Sequence, residues 1–348
     1  MKDFYKGKKV LITGNTGFKG SWMCAMLINM GAQVYGYALE PETEPSLYEI
    51  LELGSKMKTC IGDIRDLEKL KTFVNEVQPD IVIHMAAQPI VITGYEEPVY
   101  TYDVNVMGTV NVLECARKCP SVKSVLNVTT DKVYKNNEWE WGYRECDTLD
   151  GFDPYSNSKS CSELVTASYK RSFYDEKHIP LSTARAGNVI GGGDFSPNRI
   201  VPDCVRAAKD GNTIAVRNPN SVRPYQHVLE PLRAYLLIVK EQYEDFEKRG
   251  NYNVGPEFSD CIKTGELAEK FCKVWGDCAK WESKEINGPH EANFLKLDCS
   301  KLKSELNWRV TWNVDDAIRK TVEWHKAHIS GENMYDFTVK QIREFFQG

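Results

Sequence analysis

The chain has no run of apolar residues long enough to cross a bilayer, which takes about 20, so no membrane-spanning segment is expected. Its first residues, Met1-Lys2-Asp3-Phe4-Tyr5, are charged and lead into a short strand-like run. They lack the apolar core and cleavage site of a signal peptide. There is no Cys-x-x-Cys pair among the 11 scattered cysteines. Cys115 and Cys119 share a helical stretch with no matching His or Cys pair nearby, so they read as packing thiols and no metal site is expected. Scattered free thiols suit a reducing compartment, and the cytoplasm is the expected location. Neither sign of charge dominates: 44 Lys and Arg stand against 49 Asp and Glu, a net charge of −5. A broad surface for nucleic acid is therefore not expected, although a local basic pocket for a small anion remains open. Internal repeats and low-complexity stretches are also missing.

What the chain has is a steady alternation of strand and helix signals. Strands are predicted at 10–13, 33–38, 58–61, 80–84, 125–129 and 181–186. Helices are predicted at 22–30, 67–77, 99–118 and 155–174, and the stretch from Ile329 onward is helical in pattern. That cadence predicts an α/β fold: a Rossmann-type, doubly wound parallel sheet with helices on both faces. Beyond Gly187 the rhythm weakens, and Gly191-Gly192-Gly193 breaks it. The predicted division is a dinucleotide-binding domain at 1–187 and a smaller mixed α/β substrate domain at 188–348, with some later segments returning to the first. With 348 residues and 42% hydrophobic composition, about two domains are expected.

Gly14-Asn15-Thr16-Gly17-Phe18-Lys19-Gly20 lies between the first strand and its helix. A tight turn there lets the backbone approach a pyrophosphate, and the helix N-terminus supplies free N–H groups and a positive dipole end. Asp63-Ile64 follows the third strand, where a carboxylate can accept from an adenine amino group. Ala86-Ala87-Gln88 follows the fourth, where small residues let the backbone lie against a cofactor. The second strand ends near Ala38 without the Asp or Glu that usually holds the ribose hydroxyls, and Glu40 comes two residues later. No arginine sits there to favour a 2′-phosphate. NAD is the expected cofactor, with weak adenosine-ribose binding unless Glu40 reaches back.

Tyr155 and Lys159 are four apart at the start of a helix, so both project from one face. A nearby ammonium and the nicotinamide charge would lower the phenol pKa and make a base for a hydroxyl proton. Thr130 can hydrogen-bond the same substrate oxygen. Asp131 and Lys132 add an acid and a candidate base, a supply suited to elimination of water.

With their neighbours these residues resemble the CDP-glucose 4,6-dehydratases, a nucleotide-sugar branch of the extended short-chain dehydrogenase/reductase superfamily. The resemblance runs through nearly the whole chain to about His328. It rests on the Gly-x2-Gly-x2-Gly turn with Ser21-Trp22, on Ala86-Ala87-Gln88-Pro89, and on Asp131-Lys132 with Trp139-Glu140-Trp141-Gly142-Tyr143. It continues through Asp153-Pro154-Tyr155-Ser156, Gly187-Asn188 to Asp194, Arg217-Asn218-Pro219 and Arg223-Pro224-Tyr225-Gln226-His227. Asp131-Lys132 stands where dTDP-glucose dehydratases carry Asp-Glu, which favours the CDP-sugar branch.

The resemblance implies that Tyr155 deprotonates the hexose 4-hydroxyl while NAD takes the carbon-4 hydride. Asp131 would protonate the departing 6-hydroxyl, and Lys132 would remove the carbon-5 proton or stabilise the enolate. It gives Gln88, Asn188, Arg199 and Arg223 to the nucleotide-sugar substrate, with His227 structural and the Trp139–Tyr143 aromatics a flap over the hexose. It also implies a homodimer paired through the helices near 99–118 and 155–174. Two other readings fit part of the pattern. A nucleotide-sugar C4 epimerase would use Thr130, Tyr155 and Lys159 and leave Asp131 and Lys132 idle. A regulatory protein with a dead site would bind NAD without turnover.

Overall fold

The computed structural model describes residues 1–284 and 294–347. Its centre is a seven-stranded sheet. The strands are β1 (Lys9–Thr13), β2 (Gln33–Ala38), β3 (Lys58–Ile61), β4 (Ile81–His84), β5 (Ser124–Thr130) and β6 (Leu181–Ala186), joined by Asn251–Val254. The order across the sheet is Asn251–Val254, β6, β5, β4, β1, β2, β3, and every pairing is parallel. The chain leaves β1 toward β2 and β3, then crosses back to β4, so a crevice opens between β1 and β4 at their C-terminal ends. Open parallel sheets bind ligands at such a switch.

The buried strands read as apolar runs because both faces are covered. One face packs helices Phe18–Asn29, Leu229–Glu244 and Met334–Gln347, with Trp22, Met26, Leu232 and Ile342 fully buried. The other packs Leu67–Val77, the helical rod 98–118 and Pro154–Tyr169, with Leu70, Leu113 and Tyr174 inside. The rod 98–118 is continuous but carries one turn of π-helix at Asp103–Met107, and the Pro154–Tyr169 helix ends in another at Lys170–Tyr174.

The chain beyond Gly187 does two things. Helices Ile200–Lys209, Thr264–Trp275 and Val314–Ile329 enclose a separate cluster around Ile190, Cys204, Phe271 and Ile318. The Leu229–Glu244 helix and the Asn251–Val254 strand instead complete the central sheet and its cover. Part of the predicted substrate region, residues 285–293, lies outside the described residues.

Candidate active site

A cavity of about 1270 Å³ runs along the sheet crevice, from the Gly14–Gly20 turn past Thr130, Tyr155 and Lys159 to Asn188, Arg199 and Arg223. At one end Gly14 adopts φ +77° and its neighbour β4–helix connection lies so close that a Cβ would meet Ala86 at 2.8 Å. Gly20 packs closer still, and a Cβ there would overlap the Gly14 carbonyl oxygen. The chain enters the Phe18–Asn29 helix through Gly17, an extended N-cap without a side-chain cap. The first hydrogen bond of the helix is Ser21 N–H to the Gly17 carbonyl, 2.8 Å. The N–H groups of Phe18, Lys19 and Gly20 thus lack an intrahelical acceptor at the cavity wall. Thr16, whose hydroxyl donates to the Leu39 carbonyl at 2.9 Å, and Ile64, Ala86 and Ala87 line the same end. Together they make a dipole-favoured cradle that fits a pyrophosphate.

Asp63 lines this end too, but its carboxylate is already engaged. Arg65 donates to it through Nη2 at 2.7 Å and Nε at 3.0 Å, and reaches Asp103 at 3.3 Å. Arg65 is a residue of this site that sequence pattern alone does not single out; its position two residues after Asp63 is the one signal for it. Glu40 lies exposed on the cavity rim.

Two residues differ from the sequence reading. Asn15 is fully buried beneath the turn, outside the cavity lining, where its Nδ2 donates to the Thr59 hydroxyl at 3.1 Å. It packs so tightly on β2 that a Cβ at Gly36 would overlap it. Gln88 is likewise buried and absent from the lining. Its Nε2 donates to Thr101 at 2.8 Å, its Oε1 accepts from Ile90 N–H at 2.6 Å, and its backbone N–H donates to Asn105 at 2.9 Å. Both amide ends are used within the protein, so the side chain braces the loop after β4 instead of meeting substrate.

The centre of the cavity gathers Thr130, Asp131, Lys132, Tyr155 and Lys159. Thr130 ends β5 and caps the short turn Asp131–Val133. Tyr155 and Lys159 belong to the first turns of the Pro154–Tyr169 helix, which Asp153 caps through the Ser156 N–H at 3.0 Å. Proline at the first helical position suits this start. Lys159 is buried, and its Nζ donates to the Val128 carbonyl at 3.4 Å. Asp131 is buried, with Oδ1 accepting from the Thr130 hydroxyl at 3.0 Å and Oδ2 without a partner among the described residues.

Burial sets the protonation tendencies. It pushes the Tyr155 phenol up to about 12, opposed by the Thr130 side chain. It pulls Lys159 down to about 8, helped by Lys19 and opposed by Glu163. The expected lowering of Tyr155 is therefore not a property of the protein alone, because loss of water outweighs the Thr130 hydrogen bond and the Arg199 charge. Burial also raises Asp131 above the ordinary carboxyl value, with Lys132, Thr130, Arg223 and Lys19 acting the other way.

At the far end, Asn188, Arg199 and Arg223 line the cavity. Arg199 reaches Asp194 at 3.4 Å and is part-exposed. Arg223 is buried, and its Nη1 donates to the Val222 carbonyl at 2.9 Å. Arg217, Asn218, Ser221 and Thr264 share this lining without having been assigned from the sequence. His227 lies outside it, wedged between Trp22 and Trp312, with Nδ1 accepting from Leu229 N–H at 3.3 Å. Nor do the aromatics of 139–143 cover the cavity. Tyr143 stacks between Tyr134 and Trp139 in a satellite core with Leu295 and Leu297, while Trp141 is 70% exposed. Asn136 and Glu138 of that loop do line the cavity.

A parallel sheet with a glycine turn at its switch point, facing a Tyr/Lys helix and a threonine, defines a Rossmann-type enzyme of the dehydrogenase/reductase class. Within that class the chain belongs to the GDP-mannose 4,6 dehydratase family, which it matches over residues 11–321. It is 46% identical over 350 residues to the CDP-glucose 4,6-dehydratase of Salmonella typhimurium, covering 99% of this chain and 98% of that protein. Two solved structures share the fold. One is a UDP-glucose 4-epimerase from Thermotoga maritima with UDP-glucose: TM-score 0.80, 20% identity, 92% of this chain and 99% of that one. The other is a dTDP-glucose 4,6-dehydratase from Bacillus anthracis in complex with NAD: TM-score 0.77, 20% identity, 94% and 100%.

Proposed function

We propose that this protein is an NAD-dependent CDP-glucose 4,6-dehydratase, forming CDP-4-dehydro-6-deoxy-D-glucose with loss of water. The observation that carries the reading is Asp131: a buried carboxyl with one unpartnered oxygen, in the same cavity as Tyr155 and Lys159. An epimerase has no use for it, and a dead site would not keep it beside the Tyr/Lys pair. Identity along the whole chain to a CDP-glucose dehydratase supports the same conclusion.

The cradle at Gly17–Gly20 suits the pyrophosphate of NAD, and Thr16, Asp63, Ile64, Ala86, Ala87, Tyr155 and Lys159, which line the same cavity, would hold the rest of the cofactor. Bound there, NAD supplies a hydride acceptor for carbon 4 and a donor for carbon 6, so it ends oxidised. Tyr155 takes the proton of the 4-hydroxyl while Thr130 holds the oxygen. The new ketone acidifies carbon 5. Lys132 is assigned to that proton: as a free amine it takes the proton and, as the ammonium so formed, steadies the enolate. Asp131 gives its proton to the 6-hydroxyl, which leaves as water. A proton returns to carbon 5 when carbon 6 is reduced. Asn188, Arg199 and Arg223 are assigned to the diphosphate, because a guanidinium meets phosphate oxygens in pairs.

We assign residues 1–187 mainly to the cofactor and 188–348 mainly to the substrate. A homodimer is supported by large apolar side chains left exposed on the two helices that pack together: Val99 at 82%, Leu164 at 58% and Met107 at 49%. A cytoplasmic location is supported by free cysteines throughout. Among the described residues no helix is long and apolar enough to cross a membrane.

Mass spectrometry of CDP-glucose incubated with the protein and NAD in deuterated water tests the function. Loss of one water with one deuterium at carbon 5 is expected. A product of unchanged mass would indicate an epimerase, and no turnover by NAD-loaded protein would favour the dead site or another nucleotide sugar.

A further inference from the structure

Lys19 stands in the glycine turn, where sequence patterns give it to the cofactor. Its backbone does belong to that cradle, as the second residue of the Phe18–Asn29 helix. Its side chain has different company. The charged groups that act on its ammonium are Arg199 and Asp194 of the segment after Gly187, and Asp131 of the β5 loop, while Lys159 feels Lys19 in turn. All of them line one cavity.

Among the described residues Lys19 makes no hydrogen bond and no ion pair within 4.0 Å. The nearby carboxylates do not match its charge. Asp194 is held by Arg199 at 3.4 Å and by Ser196 N–H at 3.1 Å. Asp131 turns one oxygen to Thr130 and must carry a proton to serve as an acid. Around the Lys19 ammonium, Lys159 and Arg199 thus stand with two carboxylates, Asp131 and Asp194, neither of which pairs with Lys19. A part-buried ammonium with no paired carboxylate is stabilised by an anion.

We propose that the Lys19 side chain binds the diphosphate of the nucleotide sugar together with Arg199, while the backbone of the same residue serves the cofactor. The residue thus spans both ligands and selects for a substrate bearing a diphosphate. This rests on the nucleotide-sugar reading given above.

The test measures binding of CDP, cytidine and NAD to the full chain by titration calorimetry, for wild type, Lys19→Met and Lys19→Arg. Loss of one charge-assisted contact predicts CDP affinity about ten- to hundredfold weaker in Lys19→Met. Cytidine and NAD should move by less than about threefold, and Lys19→Arg should keep most of the CDP affinity. Unchanged NAD binding also reports an intact fold, and Lys19→Gln replaces Lys19→Met should the latter not fold. A loss confined to NAD, an equal loss for NAD and CDP, or no loss at all overturns the proposal. Wild-type protein that binds NAD but not CDP overturns the nucleotide-sugar reading, and the Lys19 assignment with it.

Discussion

Arg185 and Glu163 meet as a buried, two-pronged ion pair: Nε to Oε1 at 3.0 Å and Nη2 to Oε2 at 2.8 Å, each side chain 1% exposed. Glu163 lies one turn beyond Lys159 on the same helix, and Arg185 sits on β6. The carboxylate also accepts from the hydroxyls of Thr129 and Thr183, and the guanidinium donates to the Tyr134 hydroxyl at 2.8 Å. The pair therefore ties the Tyr155/Lys159 helix to the loop that carries Asp131 and Lys132. Glu163→Gln leaves Arg185 charged, buried and unmatched, which costs about 3–5 kcal/mol. Denaturant unfolding should show that loss. Glu163 also supports the charge of Lys159 against burial and against Lys19. Removing it should move the alkaline limb of kcat toward lower pH, a shift that a purely structural loss would not produce.

Asp131 separates dehydration from simple oxidation. Asp131→Asn keeps the shape and the Thr130 hydrogen bond but cannot deliver a proton. Turnover should fall by about 10²–10⁴. Oxidation at carbon 4 should survive, so reduced nicotinamide should accumulate on rapid mixing and carbon-5 deuterium exchange should continue. If the reduced cofactor never appears, Asp131 does not act at the elimination step. Its burial raises its carboxyl pKa, so the acid is present farther toward neutral pH than for an exposed aspartate.

Much of this was legible in the sequence, for a physical reason. The strands Gln33–Ala38 and Lys58–Ile61 and the helix Leu67–Val77 fall where periodicity placed them, because turn and cap residues bound each one. The Asn251–Val254 strand was not legible. It is four residues long and pairs with β6 across a long stretch of chain, which no local pattern reports. The π turn at Asp103–Met107 was hidden as well, since a single wide turn within a helical stretch has no residue signature of its own. At the site, residue type pointed to loops that line one cavity but not to side-chain direction. Asn15 and Gln88 look like ligands on paper and are buried away from the cavity lining, whereas Lys19 reads as part of the cofactor turn and its side chain lies near Arg199 and Asp194. Glu163, four residues after Lys159, reads as an ordinary surface helix charge until Arg185 is seen opposite it.

The apolar residues exposed at Val99, Met107 and Leu164 make a dimer testable by mass. Light scattering of the wild type should give about twice 39.7 kDa. Met107→Glu with Leu164→Glu would bury two unmatched charges in the paired state and should yield monomer. Because neither residue lines the cavity, the separated chains should retain NAD binding. A wild type of single-chain mass would remove the dimer assignment.

Acid should destabilise the protein through three histidines that the chemistry does not use. Burial pulls His84, His227 and His325 down to about 3. Each is neutral when folded and takes a proton when unfolded once pH falls below about 6.5. The stability tied to their neutrality is thus complete above about pH 6.5 and drains away as pH falls toward about 3. Glu230 works in the opposite direction: burial raises it to about 7, so the folded state binds a proton there more readily than the unfolded chain does. The raw slope of stability against pH therefore mixes both signs, and a difference between two proteins isolates one histidine. His325 is the best choice, because its Nε2 has no hydrogen-bond partner among the described residues and its ring lies edge-on to Phe195 and Trp324. His325→Phe keeps the ring contacts and removes the titration. Its stability should fall less steeply than the wild type's by about 1.4 kcal/mol per pH unit between about pH 6 and about pH 4, one proton's worth. Parallel slopes in urea titrations across that range would mean that His325 titrates normally in the folded protein.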